Sequence, residues 1–176
     1  EGGRPFFREI QRFTQRWIAV VVSLTALGSW FIFLFRFVAG RPRRSGTLED
    51  ALLVFTWILA GVGVPLLFLT MRLVTEVRED GFYVKFVPFH RRFRVFRWEE
   101  LQGFQVRRYR PLKEYGGWGI RWGPAGRAYN VKGDRGLQLV FRNGRRLLLG
   151  SQRAAELEEA ARRARGDVMA SPKEGA

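Results

Sequence analysis

Two long apolar runs open the chain, and a field of short alternating segments follows them. The runs are Trp17 to Phe35 and Ala51 to Met71, and neither contains a charged residue. Each reaches the roughly 20 apolar residues that a helix needs to cross a bilayer. The connection between them, from about Arg36 to Asp50, is short, so the pattern predicts an antiparallel helical hairpin over 17–71. A secretory leader is the competing reading of the first run. Its apolar region would be shorter, and Phe37-Val38-Ala39 places a bulky residue where a cleavage site wants a small one. Gly61, Gly63 and Pro65 interrupt the second run. Proline removes a backbone donor and predicts a kink there, which membrane helices commonly absorb. Ser23, Thr25, Ser29 and Thr56 are expected to bond within their own helix or to a neighbour. Proton relays and ion paths rely on ionisable groups inside the membrane, so runs without them argue against a self-sufficient transporter.

Past Arg72 the period falls to two. Leu73, Thr75 and Val77 alternate with Val74, Glu76 and Arg78, then Asp80-Gly81 turns into Phe82 to Val87, a hairpin signature. Phe93 to Phe96 and Phe104 to Tyr109 read as further strands on either side of the turn Trp98-Glu99-Glu100-Leu101. Pro111 to Gly117 reads as a loop. Trp118 to Trp122 and Ala128 to Val131 are short strands split by Gly123-Pro124. Leu137 to Phe141 and Arg145 to Leu149 flank Asn143-Gly144, a second hairpin turn. A helix is predicted from an N-cap at Ser151 to Arg165. Ala154, Leu157, Ala161 and Ala164 form its apolar stripe, and Glu158–Arg162 and Glu159–Arg163 are spaced for i,i+4 pairing. The expected organisation is a basic N-terminal arm at 1–16, the hairpin at 17–71, a soluble domain at 72–165 and a disordered tail at 166–176. The fold class is thus an α+β membrane protein. Its soluble part is an antiparallel barrel or sandwich of about seven strands, closed by a C-terminal helix.

Charge changes the picture in one respect. The chain of 176 residues carries a formal net charge of +15, and residues 72–176 hold 23 Lys or Arg against 12 Asp or Glu. Such a balance favours anionic partners, and beside a membrane the nearest are lipid head groups. Counting the cations close to the runs gives Arg4, Arg8, Arg12, Arg16, Arg72, Arg78 and Lys85 on the side of the termini. The connecting loop has Arg36, Arg41, Arg43 and Arg44. The positive-inside rule then puts both termini in the cytoplasm, with the chain in the inner membrane as a two-span protein.

Candidate chemistry is sparse. Cysteine is absent and His90 is the only histidine, which excludes thiolate sites and His-His metal sites. Arg91 beside His90 should disfavour its charged form. No nucleophile elbow or phosphate-binding loop signature occurs, so neither catalytic residues nor a cofactor are expected. Glu99 and Glu100 read as turn residues. Arg91, Arg92, Arg94 and Arg97, together with Arg107 and Arg108, could line one sheet face and dock on anionic lipid; the alternative is a solvated outer face. Gly117, Trp118, Gly119, Arg121 and Trp122 combine permissive backbone with interfacial tryptophans and form a second candidate, for lipid or a partner peptide. Here the alternative is a bulged strand with an aromatic plug. Aromatics interleaved with arginine also suit nucleic acid, but no binding motif for it matches.

The hairpin around "REDGFYVKF" followed by "RFRVFRWEELQGFQV" resembles the pleckstrin-homology-like superfold of bacterial membrane proteins. There an aromatic-acid-acid-hydrophobic turn joins the third and fourth strands. The stretch from Gly116 to Leu157 extends the likeness to uncharacterised bacterial proteins with two spans and this domain, over nearly the whole chain. The resemblance implies fold and location and no established activity. Eukaryotic relatives use a basic first hairpin loop to bind phosphoinositides; Glu79-Asp80-Gly81 is acidic, so that mode is not carried over. The expected function is a membrane-anchored interaction module for proteins or anionic lipid. The alternative is an accessory subunit of a larger membrane complex, with an enzyme of unrecognised site a third reading.

Overall fold

The computed structural model describes residues 4–38 and 48–170, with only the backbone described for Phe37 and 167–170. Arg41, Arg43 and Arg44 of the connecting loop, and the tail from Ser171, lie outside the described residues. The chain divides into two compact units, one of them Phe13–Met71 and the other the remainder.

In the first unit, α1 spans Arg16–Val38 and α2 spans Leu48–Thr70. Both are long and apolar enough to cross a membrane. Glu49 and Asp50 occupy the first turn of α2 and Arg36 the last turn of α1, each where the helix dipole favours its charge. The helices run antiparallel against each other. Phe13, just before α1, meets Phe68 near the end of α2 edge-on at 5.9 Å. Toward the other end, Trp57 stacks on Phe33 at 4.6 Å and meets Trp30 at 5.0 Å. Gly61 permits this approach: a Cβ there would come within 3.3 Å of the Ser29 hydroxyl. The interruption around Pro65 takes the form of a π-helical stretch, Trp57–Gly63. Proline has no N–H to continue the ladder, and wider turns absorb the irregularity ahead of it. Thr25 donates to the Val21 carbonyl at 2.8 Å, within its own helix. The outward side chains stay apolar and open, Leu24, Phe31 and Leu69 among them.

The second unit is a sandwich of two sheets with no closed barrel. Strands β1 (Phe7–Arg12), β2 (Arg72–Arg78), β3 (Gly81–Val87) and β4 (Arg94–Arg97) form one antiparallel sheet in that order. The other contains β5 (Leu101–Arg108), β6 (Gly119–Gly123), β7 (Gly126–Asn130), β8 (Arg135–Phe141) and β9 (Arg146–Gly150). Its order is β5-β8-β9-β7-β6. Nine strands among the described residues replace the seven expected from the sequence. One of the additions is β1, within what the sequence suggested was a free arm. Phe7, Glu9 and Gln11 face inward and Arg8, Ile10 and Arg12 outward, and the strand pairs with β2 from Phe7↔Val77 to Arg12↔Arg72. The sheets are not wholly antiparallel either, since β7 runs parallel to β9. The β6–β7 hairpin lies between β5 and β8 in sequence, yet β7 pairs with the last strand, β9, instead of with β8, the strand that follows it. The stretch Pro111–Gly117 is also not all loop, because α3 (Pro111–Tyr115) turns there and ends on left-handed Gly116.

The turn at Trp98 is where the chain changes sheets. It forms a single 3-10 turn, Trp98–Glu100. The Trp98 indole donates to the Glu79 carbonyl at 2.6 Å and the Arg142 amide donates to the Glu100 carbonyl at 2.9 Å. One turn thus ties together the β2–β3 and β8–β9 hairpins. Between the sheets lie Leu73, Val77, Phe82, Val84 and Phe86 from one side and Leu137, Leu139 and Leu149 from the other, all fully buried. The final helix α4 (Ala154–Ala170) covers the open mouth; it starts three residues after Ser151, the N-cap expected from the sequence, and continues past Arg165 through 166–170, which the sequence suggested were part of a disordered tail. Its stripe of Ala154, Leu157, Ala160, Ala161 and Ala164 is buried. On its solvent side Arg162 pairs with Glu158 at 2.7 Å, and Arg163 pairs with Glu159. The second sheet is buried on its outer face as well, where α3 packs Tyr115 onto Ala128, Leu148 and Tyr109.

Candidate functional site

The sequence candidates separate into three groups. Arg107 is engaged in holding the fold, and Arg108 is taken up in a surface ion pair. Arg107 on β5 donates to Glu114 at 2.8 Å, to Gln138 at 2.9 Å and to the Tyr115 hydroxyl at 3.0 Å, and so fastens α3 to the sheet. Burial opposes the charge of Glu114, but the Arg110 amide and the Arg107 guanidinium outweigh it and hold the carboxyl below its ordinary range. Arg108 pairs with Asp134. These two residues therefore do not join the other arginines as free cations of one face.

The glycine-tryptophan segment is likewise internally satisfied. The Gly119 amide donates to the Asn130 side chain at 2.9 Å, the Trp118 indole to the Gly133 carbonyl at 3.2 Å, and Arg121 to the Trp118 carbonyl at 2.9 Å. Gly116, Gly117 and Gly119 all have positive φ, at 68°, 126° and 118°, a conformation that side-chain-bearing residues avoid. Gly117, Trp118, Gly119 and Arg121 thus build the turn that lets β6 start beneath α3. Gly123 completes it, because a Cβ there would stand 1.9 Å from the Glu114 carbonyl oxygen.

The remaining candidates lie at the open edge of the sandwich. Arg91, Arg92, Arg94 and Arg97 follow the β3 turn onto edge strand β4 and are exposed. Among the described residues none of them has an ion-pair partner. Across the gap, Trp122 on β6 is the cross-strand partner of Arg127 on β7. The Arg127 guanidinium is stacked between two rings, 4.7 Å from Trp122 and 4.8 Å from Tyr129. His90 meets the Tyr129 ring edge-on at 5.6 Å. A cleft of about 580 Å3 opens beside Arg127, bounded by Phe96 of β4, Phe141 of β8, the Trp122–Arg127 hairpin, and Arg145 and Arg146 at the start of β9.

Electrostatics mark this spot. Burial first, and then Arg94 and Arg127, lower the pKa of His90 from its ordinary value. Arg91, its sequence neighbour, is not among the causes, contrary to the expectation from the sequence. Burial, reinforced by Arg94, also lowers Arg127. Burial raises Tyr129 although both arginines oppose the rise. Among the described residues no carboxylate acts on any of the three. Sequence reading missed Arg127 and Tyr129. Their i,i+2 spacing on a strand was the available signal, but a single arginine in an Arg-rich chain does not stand out until its stacking partners are placed. Among the described residues no cluster of His, Asp and Glu could hold a metal.

Fold and site together define a two-sheet sandwich with a cationic edge cleft, joined to a pair of apolar helices of membrane-crossing length. The chain belongs to a family of unknown function, DUF6141, whose model matches residues 2–167. No curated protein and no solved structure matches it.

Proposed function

We propose that the protein is a non-catalytic interaction module of the pleckstrin-homology-like class, anchored in the inner membrane by α1 and α2. Its sandwich docks on anionic lipid at the cytoplasmic face. The observation that carries the docking is the run of exposed Arg91, Arg92, Arg94 and Arg97, none of them ion-paired to another described residue. Juxtamembrane cations gain about 1 kcal/mol each near an anionic leaflet, so four in one strip are enough to orient a small domain. The anchor is supported by candidate spans of 21 and 23 residues, charged only near their ends and with outward-facing apolar side chains. The pleckstrin-homology likeness is supported by the sheet-switching turn at Trp98 and by the closing helix. The acidic β2–β3 turn, where Tyr83 donates to Asp80 at 2.7 Å, separates this surface from a basic first hairpin loop.

Hydrogen exchange on the full chain in nanodiscs tests the docking. Anionic discs should slow exchange across 88–97 relative to neutral discs, and salt should reverse the effect. Equal exchange in both discs, or no change in Arg91→Gln/Arg92→Gln, refutes lipid docking. Because the chain has no cysteine, a single Lys113→Cys reports topology directly. Labelling of intact cells by an impermeant maleimide would overturn the cytoplasmic placement.

A further inference from the structure

The cleft beside Arg127 has a lining that lipid docking by the exposed strip does not require. Its walls carry the rings of Phe96, Trp122 and Phe141, and its charged residues are Arg127, Arg145 and Arg146, with no carboxylate. Phe96 meets Phe141 edge-on at 5.8 Å, so β4 and β8 touch there. Two of the guanidiniums lie on rings. Arg127 is held between Trp122 and Tyr129, at 4.7 and 4.8 Å, and Arg145 stands 5.4 Å from the centre of Phe141. Arg146 alternates with Leu147 and shares the strand face of Leu148, which packs on Tyr115. Its charge acts on that tyrosine, so it is turned toward α3 and is not counted as a donor. The Arg127 Nε is buried and unpartnered. Arg145 donates to the Asn143 side chain at 3.3 Å. Among the described residues neither guanidinium has an ion-pair partner. A cation drawn out of water without a counter-charge is costly.

We propose that this cleft binds a small organic acid. Arg127 takes the carboxylate, Arg145 adds a second cation, and the rings of Phe96, Trp122 and Phe141 hold an apolar body. Rings cover both faces of the Arg127 guanidinium and its Nε is buried, which leaves the in-plane Nη edge for a ligand. A bidentate approach in that plane matches the two coplanar oxygens of a carboxylate. A tetrahedral oxyanion carries further oxygens above and below the plane, on the sides where the rings stand. The stacking also fixes the fork in advance, which lowers the ordering cost of binding. The volume of about 580 Å3 falls within the roughly 300–1,000 Å3 of small-molecule sites, which pair apolar walls with a few placed polar groups. The site goes beyond the docking strip, because none of Arg91, Arg92, Arg94 and Arg97 lines it.

The test is the thermal midpoint of the full-length protein in neutral discs, with naphthoate as the probe and naphthamide as its uncharged match. Naphthoate should raise the midpoint saturably, and naphthamide should not. Arg127→Gln should weaken the apparent affinity about tenfold or more, in line with loss of a bond between charged groups. Arg145→Gln should weaken it roughly threefold, as for an exposed ion pair. Arg142→Gln removes an exposed cation of the same hairpin from outside the cleft and should leave the response as it was. Should Arg127→Gln fail to fold, Arg145→Gln decides, since Arg145 is exposed at the β8–β9 turn. No response to naphthoate, or an equal one to naphthamide or acetate, overturns the proposal. So does a response that Arg145→Gln leaves unchanged or that Arg142→Gln reduces as much, and tighter binding of naphthyl phosphate overturns the choice of a carboxylate. Arg91→Gln/Arg92→Gln should lose the disc-dependent exchange protection and keep the naphthoate response, which separates failure of the strip from failure of the cleft.

Discussion

Glu9 is the position where one substitution should do most damage to the sandwich. It sits on β1, ahead of both apolar helices, yet its carboxylate is 8% exposed and reaches the start of α4. It accepts from the Ser151 hydroxyl at 2.6 Å, the Gln152 amide at 3.0 Å and the Gln11 side chain at 3.3 Å. Gln11 in turn donates to the Gly150 carbonyl at 2.7 Å, and Ser151 accepts from the Arg153 amide at 3.0 Å. The negative charge also lies at the positive end of the helix dipole. Hydrogen bonds to a charged group contribute about 1.5–3 kcal/mol each, and a donor left buried without an acceptor costs about 1–3 kcal/mol. The bonds share one carboxylate, so they do not add. Glu9→Ala should therefore cost about 3 kcal/mol, and Ser151→Ala about 1–2 kcal/mol for the hydroxyl's bonds to Glu9 and the Arg153 amide. A loss of 3 kcal/mol lowers the midpoint of a domain near 100 residues by roughly 12 °C or more. Thermal unfolding in mild detergent measures it, and the Glu9→Ala/Ser151→Ala cycle should show at least about 1 kcal/mol of coupling. A Glu9→Ala midpoint within about 2 °C of the parent, or strictly additive effects, would refute this account of how the N-terminal strand is locked.

Two further outcomes follow from the same geometry. His90 accepts from the Phe86 amide through Nδ1 at 3.2 Å, which requires that nitrogen to be unprotonated, and its pKa is lowered from 6.5. The unfolded chain therefore takes up the proton first. Stability from this group is full above about pH 6.5 and falls as the pH drops from there toward the folded value. His90→Asn should flatten the midpoint-against-pH curve below 6.5, and an unchanged slope would count against it. Glycine positions should sort by space: Gly123→Ala drives a Cβ into the Glu114 carbonyl, while Gly103→Ala meets nothing within 4 Å. The first should lower the midpoint by 8 °C or more, corresponding to about 2 kcal/mol of overpacking, and the second should leave it level or slightly raised. Similar midpoints for the two variants would be inconsistent with α3 resting on β6.

What could be read from the chain and what could not differ for physical reasons. Long uncharged runs and the Asp80-Gly81 and Asn143-Gly144 turns are local signals, set by a few neighbouring residues, and they placed helices and hairpins near their observed bounds. The apolar stripe of α4 was legible because its period is local as well. Strand β1 was hidden because Arg8 and Arg12 made its outward positions look like an arm, while its inward positions include Glu9 and Gln11, whose partners lie at Gly150–Gln152. The parallel pairing of β7 with β9 is a long-range choice that no turn announces. Arg107 and Arg127 look alike in sequence. One is spent on Glu114, Gln138 and Tyr115 and the other faces a cleft, a difference decided by residues 7 to 31 positions away in one case and by ring stacking in the other.

The position of β1 also constrains the helical pair. The chain leaves the sheet at Arg12 and returns at Arg72, and these two residues are cross-strand partners. An insertion that starts and finishes on paired residues has to come back to its starting point, and two antiparallel helices do so. Removing the first apolar helix by cleavage would also detach β1, and with it Glu9 from the start of α4. The sandwich would then lose an edge strand and the carboxylate that holds the turn leading into its closing helix in one step. The apolar runs are thus an insertion between two paired strands of the sandwich, so the sandwich draws strands from both sides of the helical pair. Deleting residues 1–12 should release hydrogen-exchange protection in β2 and at the N-terminus of α4 together, while the β5–β8 pairing keeps its own. Uniform loss across both sheets, or no loss in α4, would contradict that coupling.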